Sequence, residues 1–162
     1  PRRDGIMVTL VETPEMAISW DPFVWPQALP LTLDKLRAAE QRLGVRFPQD
    51  YVDCVLQHQG QTPEPCTFSY GDGYSSVLNE LYHYEDSPAT SSQIEAQKSL
   101  HTGGVPAGVV AIAGDPAGNH LCLDFRADAA SPTVVILDYE AGGDNQLAPV
   151  ANSFGELLSR LS

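Results

Sequence analysis

The chain has 162 residues, 43% of them apolar and 19% charged, enough for one domain with a hydrophobic core and too apolar for compositional disorder. Twenty-one acidic residues against nine basic ones give a net charge of −12, which argues against nucleic acid or an anionic membrane as the direct ligand and favours a basic protein partner. No apolar run approaches the roughly 18 residues of a membrane span, and Arg2 and Arg3 are followed by Thr9, Glu12 and Pro14 rather than by the apolar stretch of a signal peptide, so a soluble, cytoplasmic domain is expected.

Ile6, Val8 and Leu10 alternate with Met7 and Thr9, a short strand pattern, and Met7 is a candidate natural start that would make residues 1–6 a cloning remnant. The segment Ser19-Trp20-Asp21-Pro22-Phe23-Val24-Trp25-Pro26 is aromatic and proline-rich. Its prolines forbid regular helix, so residues 1–30 read as an irregular arm whose Trp rings cover apolar surface, with a recognition patch as the alternative. Residues 31–162 read as a single domain. Thr32 suits the N-cap of a helix from Leu33 to Leu43, with Leu33, Leu36 and Leu43 facing inward, Arg37, Glu40 and Gln41 facing outward, and Gly44 as the left-handed stop. Pro48 suits the first position of a second helix, Asp50 complements its dipole, Tyr51, Val52, Val55 and Leu56 form its apolar stripe, and Gly60 ends it.

After Gly60 the pattern becomes that of strands. Thr67 to Tyr70 and Ser76 to Tyr84 are strand-like about the turn Gly71-Asp72-Gly73, Ser87-Pro88 opens a loop, and Ser92 to Leu100 suits a short helix. Three strands follow: Val109 to Ala113, His120 to Phe125 and Thr133 to Tyr139. The first two form a hairpin through Asp115-Pro116-Ala117-Gly118-Asn119, with Leu121, Leu123 and Phe125 on one face and His120, Cys122 and Asp124 on the other. Residues 140–145 form a loop. Ser153-Phe154-Gly155-Glu156 fits a capping box, and Phe154, Leu157, Leu158 and Leu161 recur at helical spacing. Helices at the ends with strands in runs between them give an α+β fold: a central, mostly antiparallel sheet flanked by helices.

Three pieces resemble one family. Leu43-Gly44-Val45-Arg46-Phe47-Pro48-Gln49-Asp50-Tyr51, closing at Gly60, is similar to the opening signature of the SUKH superfamily (the Smi/Knr group). Val110-Ala111-Ile112-Ala113-Gly114-Asp115 through Gly118-Asn119-His120-Leu121-Cys122-Leu123-Asp124 resembles its central hairpin, and Ser153-Phe154-Gly155-Glu156-Leu157-Leu158 its terminal helix. Gln59-Gly60-Gln61 departs from the family's frequent Asn-Gly-Gly. The resemblance implies a SUKH-like α+β domain and, in bacteria, an immunity protein that binds and neutralises a secreted toxin, often a nuclease, though other toxic enzymes occur. It also implies the alternative seen in eukaryotic members, a scaffold or regulatory interaction module without enzymatic activity. The matching residues have structural reasons to be where they are and mark no binding site.

The residues offer little to an enzyme. Cys54, Cys66 and Cys122 are too few and scattered for a disulfide framework. Cys54 with His58 and His120 with Cys122 have spacings a zinc site tolerates, and Asp115 and Asp144 lie near glycines as in calcium loops. The spacing is not diagnostic, and the alternating ligands of an EF-hand are missing. There is no nucleophile elbow, phosphate loop or dinucleotide fingerprint, so the reading is a non-enzyme without metal or cofactor, a small hydrolase or metal-dependent enzyme being the rival. The charge points instead to protein binding. Residues 47–162 carry only Lys98, Arg126 and Arg160 against fifteen carboxylates, and no lysine or arginine occurs from Phe47 through Gln97. Within that stretch Asp72, Tyr74, Glu80, Tyr82, Tyr84, Glu85 and Asp86 are the candidate partner-binding residues, aromatics supplying buried area and carboxylates supplying steering toward a basic toxin. The competing reading places the tyrosines in the core and leaves the carboxylates as solubilising charge.

Overall fold

A computed structural model of the chain describes residues 17–86, 90–142 and 146–162. Met7, the Ile6–Val8–Leu10 strand pattern, Ser87-Pro88 and Asp144 lie outside these residues. The elements in order are β1 (Ser19–Pro22), α1 (Leu33–Leu43), α2 (Gln49–His58), β2 (Gln61–Glu64), β3 (Thr67–Tyr70), β4 (Tyr74–Val77), β5 (Glu80–Leu81), α3 (Gln93–Thr102), β6 (Val109–Gly114), β7 (His120–Asp124), β8 (Thr133–Leu137), β9 (Leu147–Ala151) and α4 (Phe154–Ser159). The α+β expectation is met by a five-stranded antiparallel sheet in the order β5-β6-β7-β8-β9, with two-stranded ribbons β1-β2 and β3-β4 beside it.

Both faces of this sheet are covered. Leu121, Leu123, Val134 and Ile136 share one cluster with Leu36 of α1, Tyr51, Val52 and Val55 of α2, and Phe154 and Leu157 of α4. Val109, Ala111, Cys122, Val135 and Leu137 form a second cluster with Ala96 and Leu100 of α3. All six residues of β6 are buried. Its neighbour β5 is only two residues long and pairs with Ala113 and Gly114. Tyr82 N–H extends that pairing to the Ile112 carbonyl at 2.9 Å, and α3 supplies the partners beyond it: Ala111 N–H donates to Gln97 Oε1 at 3.0 Å, Gln97 Nε2 donates to the Val109 carbonyl at 3.0 Å, and Gln93 Nε2 donates to the Ala111 carbonyl at 3.1 Å. Two buried glutamines thus do the work of a missing strand, which is why polar residues sit on the inner face of α3.

The helix pair forms as its caps dictate, with two corrections. Thr32 Oγ1 accepts from Lys35 N–H at 3.3 Å, and Gly44 closes α1 at φ 70°. The inner stripe is rotated from the one expected, however. Leu33 is 47% exposed, whereas Glu40, expected outside, is 4% exposed. Its carboxylate accepts Phe47 N–H at 2.7 Å and Arg37 Nη1 at 2.5 Å, so the burial cost is offset and the connection between the helices is clamped. Pro48 is the N-cap of α2 rather than its first helical residue. Asp50 accepts Gly155 N–H at 2.8 Å and so helps to cap α4, whose own Ser153 Oγ accepts Glu156 N–H at 3.1 Å. Tyr51 is fully buried, its hydroxyl 2.6 Å from that of Tyr84 and its ring edge-on to Phe47 and Phe154.

The arm is less irregular than its prolines suggest. β1 pairs antiparallel with β2, Trp20 opposite Pro63. Neither β2 nor β9 was expected. Each carries a proline, which an edge position tolerates. The expected strand from Ser76 to Tyr84 is broken after Val77, with Leu78 N–H turned to the Cys66 carbonyl at 2.8 Å. Trp20 stacks on His58 with centroids 4.6 Å apart, and Trp25 lies over Gly60. Gly60 has φ 71°, a Cβ there would sit 2.7 Å from Trp25 Cζ3, and its backbone bonds both Leu81 and Val24. Gln59 is a buried brace that donates to the Leu29 carbonyl at 2.9 Å and accepts Tyr84 N–H at 3.1 Å. Gly60→Ala is expected to cost about 1–3 kcal/mol through backbone strain and displacement of the Trp25 ring. Urea unfolding followed by tryptophan emission checks this; an unchanged midpoint and emission spectrum would refute the contact.

Candidate interaction surface

The seven sequence-nominated residues separate into three places. Asp72 and Tyr74 project from the β3–β4 hairpin, and Tyr74 is 64% exposed, the most exposed large hydrophobic residue of the described chain. Glu80, Tyr82 and Tyr84 are buried, which corrects their assignment to an accessible surface. Tyr82 packs in the cluster under α3 and shares a hydrogen bond with His120 Nδ1 at 2.5 Å. Tyr84 packs in the cluster under α1 and α2. Glu80 is held by Ser91 Oγ at 2.6 Å and Asn79 Nδ2 at 2.7 Å. Burial pushes its carboxyl above the usual range, against the pull of those two donors. The reason is the sheet: helices cover both its faces, so β5 and the residues after it as far as Tyr84 have no solvent side. Glu85 is half-buried and bound to Lys35 and Gln59. Although burial pushes its carboxyl up, these donors and the Lys35 charge hold it below its ordinary value. Asp86 is exposed.

The hairpin residues belong to a larger feature that the sequence reading missed. Tyr70, Gly71, Asp72 and Tyr74 form one wall of a cleft of ≈ 710 Å³, and Asp138, Glu140, Ala141, Leu147, Ala148 and Pro149 form the rest. Among the described residues its lining includes three carboxylates and no lysine or arginine. Tyr74 stacks on Tyr70 with centroids 5.8 Å apart and planes inclined by 25°. Tyr70 Oη donates to Asp138 Oδ2 at 3.3 Å, while Asp138 Oδ1 accepts Glu140 N–H at 2.9 Å. Burial, and after it the Asp138 charge, raises the Tyr70 phenol above its ordinary value, so it stays a neutral donor. The available signal was compositional: Asp138-Tyr139-Glu140 repeats the acid–aromatic chemistry of Asp72 and Tyr74, but 66 or so residues away nothing local joins the two.

One buried carboxylate sets the geometry between these walls. Asp115 accepts Ala117 N–H at 2.9 Å, Asn119 N–H at 2.8 Å, Asn119 Nδ2 at 3.1 Å and, from β4, Ser76 Oγ at 2.8 Å. Asn119 Oδ1 in turn accepts Tyr139 N–H at 3.1 Å. The hairpin and the exit of β8 are thereby tied to the same turn. The calcium-loop idea for Asp115 gives way to this network, because its oxygens are already engaged by protein donors. The cysteine–histidine pairs are likewise separate. His58 bonds Gln61 and stacks on Trp20, whereas Cys122 is buried under α3. Burial, then Asp50, pushes the Cys54 thiol up to about 12, which makes it unreactive. Among the described residues no three of His, Cys, Asp and Glu are gathered to hold a metal, and no helix is long and apolar enough to cross a membrane.

Asp115→Ala is expected to lower stability by about 2–3 kcal/mol, since it strands buried donors on two elements; denaturant titration checks it, and a loss within error would show the network to be dispensable. Burial holds the His120 imidazole below its ordinary 6.5, with Asp115 pulling the other way. The unfolded chain therefore takes up a proton at higher pH than the folded one, and stability is expected to fall as pH drops through 6.5 toward the folded value. Urea midpoints for the parent and for His120→Gln between about pH 7.5 and about pH 5.5 measure this contribution, the variant losing less than the parent on acidification.

None of the curated proteins compared with the chain matches it. A family model does: that of the SMI1 / KNR4 family (SUKH-1) matches residues 30–160, which takes in α1 through α4, the central hairpin and the cleft. With most of its length so matched and with the antiparallel sheet and helices in place, the chain belongs to the SMI1 / KNR4 family (SUKH-1).

Proposed function

We propose that this protein is an immunity protein, a binding domain without chemistry of its own that occludes a toxic enzyme encoded beside it. Family membership supports this reading, and one observation carries its mechanism: the excess of negative charge lies beyond α1, with no lysine or arginine from Phe47 through Gln97. A nuclease must present a basic surface to hold phosphates. An acidic protein seated on that surface excludes the substrate by competition, and complementary charge speeds the encounter. Of the residues nominated for contact, Asp72, Tyr74 and Asp86 remain accessible, whereas Glu85 is half-buried and its charge is offset by Lys35. The setting of such a protein is the cytoplasm of the producing cell.

The test is co-expression. The toxin domain encoded next to this gene, induced in a bacterial host, is expected to arrest growth, and this chain to restore it. The purified pair should associate more slowly as salt rises from low to about 0.5 M, where the Debye length falls well below its roughly 8 Å at physiological strength. Asp72→Lys and Asp86→Lys should slow association with little change in melting temperature. No rescue and no complex with the neighbour's product would overturn the proposal, and stable binding to a non-toxic protein instead would establish the scaffold reading.

A further inference from the structure

We infer that the cleft between the β3–β4 hairpin and the exit of β8 is an arginine-receiving pocket, built to take a guanidinium from an exposed loop of a protein partner. The inference rests on the proposed function for the partner's identity but not for the pocket's chemistry. The hairpin holds a tyrosine in solvent: Tyr74 is 64% exposed, yet its ring is not free to wander, being stacked on Tyr70 at 5.8 Å. The same cleft holds a carboxylate bonded at both oxygens. Asp138 Oδ2 receives the Tyr70 hydroxyl and Oδ1 the Glu140 amide, which fixes the plane of the group and leaves each oxygen with an unused lone pair. A planar guanidinium can stack on the ring and bond such a carboxylate in bidentate fashion.

The remaining surfaces fit the rest of an arginine. Leu147, Ala148 and Pro149 supply an apolar wall for the methylene stem, and Pro149 has no N–H to offer a docking strand, which favours side-chain insertion over strand addition. Asp72 and Glu140 add negative charge, with no lysine or arginine in the lining to compete. The volume of ≈ 710 Å³ lies within the about 300–1,000 Å³ usual for sites that enclose a small ligand or a loop tip. Lysine is the poorer occupant, because its compact, strongly hydrated ammonium neither stacks nor matches two oxygens at once.

The probe is a short peptide, acetyl-Gly-Gly-Arg-Gly-Gly-amide, titrated into the full chain and followed by amide NMR, with lysine and citrulline versions alongside. The arginine peptide is expected to give saturable shifts centred on Gly71, Asp72, Tyr74, Asp138 and Glu140. The lysine peptide should bind more weakly and the uncharged citrulline peptide should not bind. Tyr74→Ala and Asp138→Asn should each weaken binding about fivefold or more, whereas Asp128→Asn, an equal charge change on an exposed loop outside the lining, should leave it unaltered. Equal binding of arginine and citrulline peptides, shifts spread over the acidic surface, or equal losses for all three variants would overturn the pocket. Toxin rescue with no arginine binding refutes the pocket and leaves the immunity role standing. Arginine binding without toxin rescue supports the pocket and refutes that role.

Discussion

Strand β6 poses the problem that the rest of the fold answers. All of it is buried, and on one side its partner is a two-residue strand, so the Val109–Ala111 part of that edge would be left with unpaired N–H and C=O groups away from water. Helix α3 resolves this with the side-chain amides of Gln93 and Gln97. Once α3 lies there, its Ala96 and Leu100 cover one face of the sheet, and α1, α2 and α4 are left to cover the other. A sheet wrapped on both faces turns the segment after β5 inward, which is why Tyr82 and Tyr84 are core residues in a stretch whose composition suggests an exposed surface.

What stays accessible is therefore set by the ends of strands and by the hairpins, not by their faces. The β3–β4 hairpin stands beside the sheet as a separate ribbon, and its inclination relative to β8 is controlled through Asp115, Ser76, Asn119 and the Tyr139 amide. A buried carboxylate engaged by several donors makes a stiff joint, because losing any one bond leaves a polar atom unpaired in a low-dielectric setting. The ring stack and the Asp138 carboxylate of the cleft are thereby held in a set orientation, and a group oriented beforehand carries a smaller ordering cost into any association.

The described part of the amino-terminal arm, residues 17–30, is built into the domain by the same economy of contacts. Gly60 ends α2, accepts Val24 N–H, donates to Leu81 and supports the Trp25 ring. Gln59 beside it reaches from Leu29 to Tyr84 and Glu85. The tryptophans are consequently packing residues, Trp20 on His58 and Trp25 on Gly60 and His83, and among the arm's described residues the exposed large apolar side chains are Phe23 and Leu29.

Sequence alone determined the parts whose cause is local. Thr32, Gly44, Ser92 and Ser153 act at helix ends through bonds three or four residues away, so their spacing places α1, α3 and α4. The glycine turn at 71–73 and the Asp115–Asn119 turn likewise place their hairpins within a few residues. The three family-like pieces identified the fold because a cap, a stop and an apolar period leave their mark on neighbouring positions. Tertiary structure alone decided the rest. Glu40 turns inward because Phe47 and Arg37 meet it there, and β2 and β9 form despite their prolines because edge positions ask for fewer donors. The cleft likewise exists because Tyr70 and Asp138 meet across a gap of 68 residues. Burial and long-range pairing depend on which surfaces the other elements leave open, and no periodicity within a segment records that.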